Sequence, residues 1–336
     1  MSNWKSVLTA DPINWLLESD NPSVRYFTLC DLLEKPGSDP EVVKAKEDIM
    51  KTGVVPAILA NQNREEGTWE DPRRFYSAKY TGTVWQLIIL AELGANEENG
   101  QIRAACEFIL NHSQDLESNG FSQSSAVKTG GGRHGEVIPC LTGNLVWSLI
   151  RLGYLEDPRL QRALTWITTY QRFDDGVEES PAGWPYDMYE MCWGRHTCHM
   201  GVVKALKALA EIPENKRSVE VKKTIEKGAE FLLIHNVYKR SHNLNRMSKP
   251  GWRKFGFPLM YQTDALEISG ILTQLGYRDE RMSAAIDLLI SKQDKQGKWA
   301  LENTFNGRFQ VNIEQKDTPS KWISLKALTV LKRYYG

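Results

Sequence analysis

Apolar residues along the chain form two kinds of helical pattern. In residues 143–150 and similar stretches, apolar side chains occupy nearly the whole circumference of the helix, which predicts burial on both sides. Elsewhere an apolar stripe recurs about every 3.6 residues opposite a charged face, which predicts one face in solvent. The first pattern predicts inner helices at residues 21–34, 80–93, 139–152, 197–209, 261–275 and 320–334. The second predicts outer helices at residues 102–112, 159–170, 219–235 and 281–292. Residues 309–314 are the one alternating run that suggests a strand.

A short motif repeats along the chain at intervals of about 59 residues. Gln62-Asn-Arg-Glu-Glu-Gly67-Thr-Trp69 recurs as Gln293-Asp-Lys-Gln-Gly297-Lys-Trp299, and looser copies begin at Gln114 and Gln171. Because one helix pair cannot bury its own apolar face, such repeats must stack on one another. The sequence therefore predicts an all-α fold: a single α/α-toroid domain over residues 1–336, with about six inner and five to six outer helices. An open solenoid is the competing arrangement, but inner helices that are apolar all round favour a closed ring.

Composition and charge narrow the class of partner. The 42 Lys and Arg residues balance the 42 Asp and Glu residues, so no net positive charge attracts nucleic acid. No apolar run is long enough to cross a bilayer, and the first residues lack the pattern of a signal peptide. Five cysteines without a secretory context do not suggest a disulfide framework. We therefore predict a cytoplasmic monomer or homodimer with no nucleic-acid partner and no transmembrane segment.

The repeated Gln and Gly-x-Trp motif at the end of each outer helix resembles the repeat of squalene and hopene cyclases and of protein prenyltransferase β-subunits. This resemblance implies an α/α toroid whose active cavity lies inside the ring, near the N-terminal ends of the inner helices. Such ends are electropositive and suit a diphosphate. The resemblance therefore implies an enzyme that acts on an isoprenoid or other hydrophobic substrate, such as a prenyl diphosphate. The alternative from a different class is a non-catalytic toroid that serves as a binding scaffold.

The densest group of metal-binding residue types lies just before the fourth predicted inner helix. Thiolate and imidazole are the ligands that zinc prefers, and they hold it tetrahedrally. We therefore expect a Zn²⁺ site here, although the same residues could simply pack in the first turn of a helix. The candidate ligands are Cys192, His196, Cys198 and His199, with Cys140 as a further candidate.

The same resemblance bears on the metal ligands and on the diphosphate site. In prenyltransferase β-subunits, zinc is held by an Asp-x-Cys motif and by the His of a later Tyr-His-Thr motif. The matching positions here are His196-x-Cys198 and Tyr261-Gln262-Thr263, so Gln262 replaces the second His. His134 and Cys140 match a His-Gly and Cys pair whose His contacts the prenyl diphosphate, which implies that role for His134.

Four arginines precede predicted inner helices, and together they would form an anion pocket inside a neutral protein. They are Arg73, Arg74, Arg133 and Arg195. Solvated surface arginines are the alternative. Aromatic residues near the same helix starts, including Tyr261 and Trp193, could cover an isoprenoid chain or stabilise a carbocation. Asp264 begins the fifth inner helix and is a candidate general acid or base, cation partner, or N-terminal helix charge.

An acidic pair, two basic segments and several short motifs also suggest roles. Asp174-Asp175 invites comparison with the acid motif of class II terpene cyclases, but its place in a Gln-to-Gly turn favours a turn-forming role. Lys204 and Lys207 are interpreted as part of a solvated face, and residues 239–254 as a basic lid or partner contact. The short motifs at residues 131–135, 192–194 and 198–201 also look similar to those of lanthionine cyclases, which gives a second zinc-enzyme hypothesis.

Overall fold

The structure is a computed structural model, and it describes residues 4–176, 179–194 and 196–336. Arg195, a predicted substrate-binding residue, lies outside the described residues. Helices alternate between an inner and an outer layer. The inner helices are α2 (Pro22–Phe27), α5 (Thr83–Glu92), α7 (Pro139–Leu149), α10 (His199–Ala210), α12 (Ala265–Gln274) and α14 (Lys321–Tyr335). The outer helices are α3 (Pro40–Lys51), α4 (Val54–Ala60), α6 (Gly100–His112), α8 (Pro158–Tyr170), α11 (Val219–Ile234) and α13 (Ser283–Ser291). Single-turn helices α1 (Ile13–Leu16) and α9 (Glu190–Trp193) complete the set.

The inner helices pack on one another in chain order and close a ring. Each contacts the next from α5 to α14, and α14 contacts α2 and the π-helical turn Thr28–Leu32 that continues it. The amide of Gln293 donates to the carbonyl of Val7 over 3.0 Å, and the ammonium of Lys321 lies 2.8 Å from a carboxylate oxygen of Glu18. These contacts join the two ends of the chain. The predicted α/α toroid is therefore confirmed, and the open solenoid is not what forms.

Burial explains why the inner segments are apolar all round. Every residue of α5 is buried, because this helix has neighbours on both the ring side and the outer side. Between α7 and α10 the backbones approach so closely that a Cβ on Gly143 would lie 2.4 Å from the carbonyl carbon of Lys204. Only a glycine fits such a contact. None of the described helices combines the length and the apolar composition that a bilayer crossing requires.

The repeated glutamines are structural. The side-chain amide of Gln62 donates to Gly67 O over 3.0 Å and to Gln101 O, in α6, over 2.9 Å. Gln114 makes the equivalent bond to Arg159 O, in α8, over 2.8 Å. Gln62 and Gln114 thus each tie their own turn to the start of the next outer helix. Gln171 instead donates to Arg172 O over 2.8 Å, and Gln293 donates to Val7 O.

Strands play a small part in the fold. An antiparallel hairpin joins β1 (Lys239–Arg240) to β2 (Asn243–Met247), and β3 (Trp299–Ala300) pairs with β4 (Pro319–Ser320). The strand suggested at residues 309–314 was wrong. Phe309 is buried beside Tyr80, and Gln310 donates to Thr81 O over 3.2 Å, so this segment packs on the loop before α5 instead of on another strand.

Candidate functional site

Aromatic side chains collect at the N-terminal ends of the inner helices, where the resemblance placed the active cavity. We call this set the aromatic mouth: Tyr76, Tyr80, Trp85, Tyr261, Phe305 and Phe309. The ring of Tyr80 is central, with centroids 5.2 Å from Trp85, 4.2 Å from Phe305 and 6.5 Å from Tyr261. Tyr80 and Trp85 are buried, whereas Tyr261 keeps part of its surface exposed. The mouth therefore offers apolar ring faces beside a solvent-accessible edge.

The side chain of a lysine lies over the faces of these rings. The ammonium of Lys79 lies 4.8 Å from the centroids of Tyr76 and Tyr261 and 5.8 Å from that of Trp85. Among the described residues, no carboxylate oxygen lies within 4.0 Å of it. The guanidinium of Arg308 lies 5.0 Å from the Tyr80 ring. Cations over ring faces are attracted by the ring quadrupole, so the mouth is both aromatic and positively charged.

Three amide side chains reach the same region from three inner-helix segments. Gln86 donates to Tyr80 O over 2.9 Å, Asn144 to Met260 O over 3.1 Å, and Gln262 to the Tyr80 hydroxyl over 3.3 Å. Among the described residues, their amide oxygens have no hydrogen-bond partner, although Gln86 and Asn144 are buried. Because buried acceptors are normally paired, these three oxygens are unsatisfied polar positions beside the mouth.

The predicted cysteine ligands lie near the same helix starts. Cys140, in the first turn of α7, interacts electrostatically with Cys192 and Cys198. Burial raises the pKa of Cys140 above its usual range and that of Cys192 to about 12, so both remain thiols at neutral pH. Within the described ranges, none of the three shares a group of three metal-binding atoms that all lie within 4.8 Å of one another.

The two predicted histidine ligands lie in different surroundings. His199 is packed edge-on against Trp252 and His235, with ring centroids 4.5 and 4.7 Å away. Burial lowers its pKa well below the usual value, so it is neutral. His196 instead lies with Asp175 and His242, and one ligand atom from each of these three lies within 4.8 Å of the others. The predicted zinc ligands are thus divided between locations, and zinc dependence stays a prediction.

His134 and the arginine beside it are engaged with acidic side chains. The Nδ1 atom of His134 lies 2.8 Å from a carboxylate oxygen of Asp115, and its ring stacks on Trp184 at 4.2 Å. Arg133 donates to Glu136 over 2.7 Å. Arg74 is exposed. Asp115 is a partner that the sequence did not suggest, because it precedes His134 by 19 residues on a separate turn.

Trp193 and Asp264 have clear packing roles. Trp193 is buried, with ring centroids 5.5 Å from Tyr186 and 5.9 Å from Trp166. Asp264 caps α12: one oxygen accepts from Glu267 N over 2.8 Å and the other from Gly256 N over 2.9 Å. Burial raises the pKa of Asp264 to about 7 despite these bonds. Of the roles left open for Asp264, the cap is visible in the structure, and catalysis stays a prediction.

A cavity of about 290 Å³ lies inside the ring toward the C-terminal ends of the inner helices, opposite the end implied by the resemblance. We call it the charged chamber. Acidic and basic side chains alternate around its wall, together with two tryptophans. Its charged residues are Asp31, Glu92, Arg151, Lys207, Glu211, Glu267, Lys326 and Arg333, and the tryptophans are Trp147 and Trp322.

The interpretation of Lys204 and Lys207 as a solvated face was wrong. Both are buried, because this side of α10 faces the ring interior. The ammonium of Lys204 lies 2.7 Å from Glu267, and that of Lys207 lies 2.6 Å from Glu92. Lys326 reaches Glu92 over 2.8 Å from α14. A buried ion-pair network therefore connects four inner helices.

The sequence matches no protein-family model and no curated protein. Among solved structures, the chain is similar to an unsaturated glucuronyl hydrolase specific for heparin, at 12% identity and a TM-score of 0.48, over 97% of this chain and 86% of that one. It is also similar to the type II terpene cyclase MstE from Scytonema in complex with merosterolic acid A, at 14% identity and a TM-score of 0.42, over 96% and 98% of the two chains. At these levels of similarity the activity has to be argued from the site itself.

Proposed function

We propose that the chain is an α/α-toroid enzyme whose aromatic mouth binds a substrate with an apolar body and an anionic head group. The observation that carries this proposal is Lys79, a cation held over Tyr76, Trp85 and Tyr261 with no carboxylate within 4.0 Å among the described residues. A lysine in such a place keeps its charge available to a ligand. A prenyl diphosphate has this combination of properties, and it is the substrate that the resemblance implies.

The charged chamber is a weaker candidate for the same substrate. Its carboxylates Glu92 and Glu267 already pair with Lys207 and Lys204, and Arg151 pairs with Glu211 over 3.1 Å. A hydrocarbon bound there would have to desolvate these pairs. The mouth does not require this, since its ring faces are apolar and no described carboxylate lies within 4.0 Å of Lys79.

Tyr261 is the residue of the mouth best placed to assist chemistry. Its ring lies beside the Lys79 ammonium, and its hydroxyl is close to that of Tyr80. Burial raises the pKa of Tyr261 to about 12, so the hydroxyl keeps its proton at neutral pH. It can therefore donate a hydrogen bond, or a proton, to an oxygen of a departing head group. Lys79 would stabilise the negative charge that develops there.

One observation favours the scaffold hypothesis as the second candidate. The buried network of Glu92, Lys204, Lys207 and Glu267 occupies part of the ring interior and braces the inner helices against one another. A ring built in this way could present its surface to a partner without catalysing a reaction. The two hypotheses differ in turnover, because only the enzyme converts a bound substrate.

The test is a titration of the purified chain with farnesyl diphosphate, followed by tryptophan fluorescence and calorimetry. Lys79→Met should weaken binding at least about tenfold, equivalent to about 1.4 kcal/mol. Lys298→Met is the matched control, since Lys298 is also half-buried and lies 4.4 Å from the ring of Trp15, away from the mouth. Equal binding by both variants, or none by the unmodified chain, would refute the proposed site. Binding without any product detectable by mass spectrometry would favour the scaffold.

A further inference from the structure

Three segments that are distant in sequence meet beside the start of α10. They are the turn after α8, which carries Asp175, the segment before α10, which carries His196, and the β1–β2 hairpin, which carries His242. One ligand atom from each residue lies within 4.8 Å of the other two. The backbones of Asp175 and His196 also form an isolated antiparallel bridge, which fixes the first two segments relative to each other.

This spacing suits a single ion. Zinc–nitrogen and zinc–oxygen bonds are about 2.0–2.2 Å long, so the ligand atoms of a tetrahedral site lie about 3.3–3.6 Å apart. Three atoms within 4.8 Å of one another reach that arrangement through small side-chain rotations. His196 and His242 are exposed, so an ion can enter from solvent, and Asp175 anchors the group from the protein side.

His235 lies on the side of Asp175 that faces the protein interior. Its Nδ1 atom lies 2.7 Å from Phe231 O, and its Nε2 atom lies 3.3 Å from a carboxylate oxygen of Asp175. Because His235 is buried, this contact helps to hold the Asp175 carboxylate in place from inside the protein.

The carboxylate of Asp175 is also held in place by the hairpin. Ser241 donates a hydrogen bond to one of its oxygens, and the Nε2 atom of His242 lies 3.3 Å from the same oxygen. Such contacts to a ligating carboxylate orient it for metal binding. His242 Nε2 also lies 3.0 Å from Asp175 O, and it would exchange that hydrogen bond for the metal.

We propose that Asp175, His196 and His242 bind a divalent transition-metal ion, zinc by ligand preference, with His235 positioning Asp175. Three protein ligands leave a coordination position for water. The ion would fasten the β1–β2 hairpin to the turn after α8 and to the start of α10, at the same end of the ring as the aromatic mouth. This proposal does not depend on the proposed substrate, and it replaces the cysteine ligands with another set around His196.

The test is metal binding by the purified chain after treatment with a chelator. Zn²⁺ is titrated by calorimetry, and Co²⁺ is used as a spectroscopic probe of ligand type. We expect about one ion per chain, and a dissociation constant at least about 100-fold weaker in His242→Ala. His112→Ala is the matched control, an exposed histidine on α6, and should bind as the unmodified chain does.

The cysteine site gives a different result in the same experiment. If Cys192 or Cys198 ligates the ion, Co²⁺ shows thiolate charge-transfer absorption and Cys198→Ala loses binding. Our proposal predicts no such absorption and full binding by Cys198→Ala. Retention of stoichiometric metal by His242→Ala, or no binding by the unmodified chain, would overturn it. Because His242 is an exposed hairpin residue, circular dichroism should show that His242→Ala remains folded.

Discussion

Charged side chains have different surroundings at the two ends of the ring interior. In the charged chamber, Glu92 accepts from Lys207 over 2.6 Å and from Lys326 over 2.8 Å, so its charge is neutralised within the protein. In the aromatic mouth, Lys79 stands over three ring faces and has no described carboxylate within 4.0 Å. The ring therefore has a paired network at one end and, at the other, a lysine without a carboxylate partner among the described residues.

This difference distinguishes charged side chains that stabilise the fold from charged side chains that remain available to bind a ligand. Removing an ion from water costs several kcal/mol, so a buried charge persists where a partner compensates it. The network does this for Lys204, which is fully buried. Lys79 is only partly buried, so water compensates it until a ligand arrives.

The largest effect that we expect comes from breaking the network. Lys204→Met leaves Glu267 with Lys207, at 3.2 Å, as its remaining ion-pair partner among the described residues. Removing one member of a buried pair typically costs about 3–5 kcal/mol, so the free energy of unfolding should fall by about that much in urea titrations.

Lys216→Met is the matched control for this substitution. Its ammonium lies 2.6 Å from Glu156, but both side chains are at least half exposed. Exposed pairs contribute about 0–1 kcal/mol, so the control should lose little stability. Similar losses of stability in the two variants would contradict the distinction between the buried network and the surface.

The ring could be predicted from sequence because its signals are local. Each inner helix is apolar within its own dozen residues, and the side chain of Gln62 binds Gly67 in its own turn. The network could not be predicted, since Lys204 and Lys207 pair with residues 63 and 115 positions away. A lysine on an amphipathic pattern gives no indication of which neighbour it will face.

The candidate sites were predicted in part for the same reason. The resemblance led to Tyr261 and Gln262, which lie in the mouth, but not to Lys79, whose significance depends on rings from two loops. Asp175 was interpreted as a turn former, and its partners lie on a hairpin more than 60 residues later. The two histidines in the connector after α11, His235 and His242, were the signal that could have suggested this group.

A smaller effect is expected at Asp264, between the two regions. Asp264→Asn replaces one carboxylate oxygen with an amide nitrogen, which cannot accept from Gly256 N, so we expect a loss of about 0.5–2 kcal/mol at pH 5. Burial raises the folded-state pKa of Asp264 to about 7, above its ordinary value of 3.8. The folded state then binds the proton more tightly than the unfolded state does. The contribution of Asp264 is therefore fully present below about pH 4 and is lost as the pH rises to about 7.

This pH dependence can be measured by urea unfolding of both proteins between pH 4 and pH 8. Relative to Asp264→Asn, the unmodified chain should lose stability as the pH rises through this range. If the two pH profiles are parallel, Asp264 is ionised in the folded state throughout this pH range. In that case no proton is held at this helix cap.

The smallest effect on stability should come from the same Lys→Met substitution at Lys79, beside the rings of the aromatic mouth. Lys79→Met removes an ammonium that contributes about 0.5–1 kcal/mol through its ring contacts at a partly exposed site. The methionine side chain packs on the same ring faces and recovers much of this. We therefore expect the free energy of unfolding to change by less than about 0.5 kcal/mol, against about 3–5 kcal/mol for Lys204→Met. A loss at Lys79 comparable to that at Lys204 would mean that the mouth is held together by its lysine, and that this charge is not kept for a ligand.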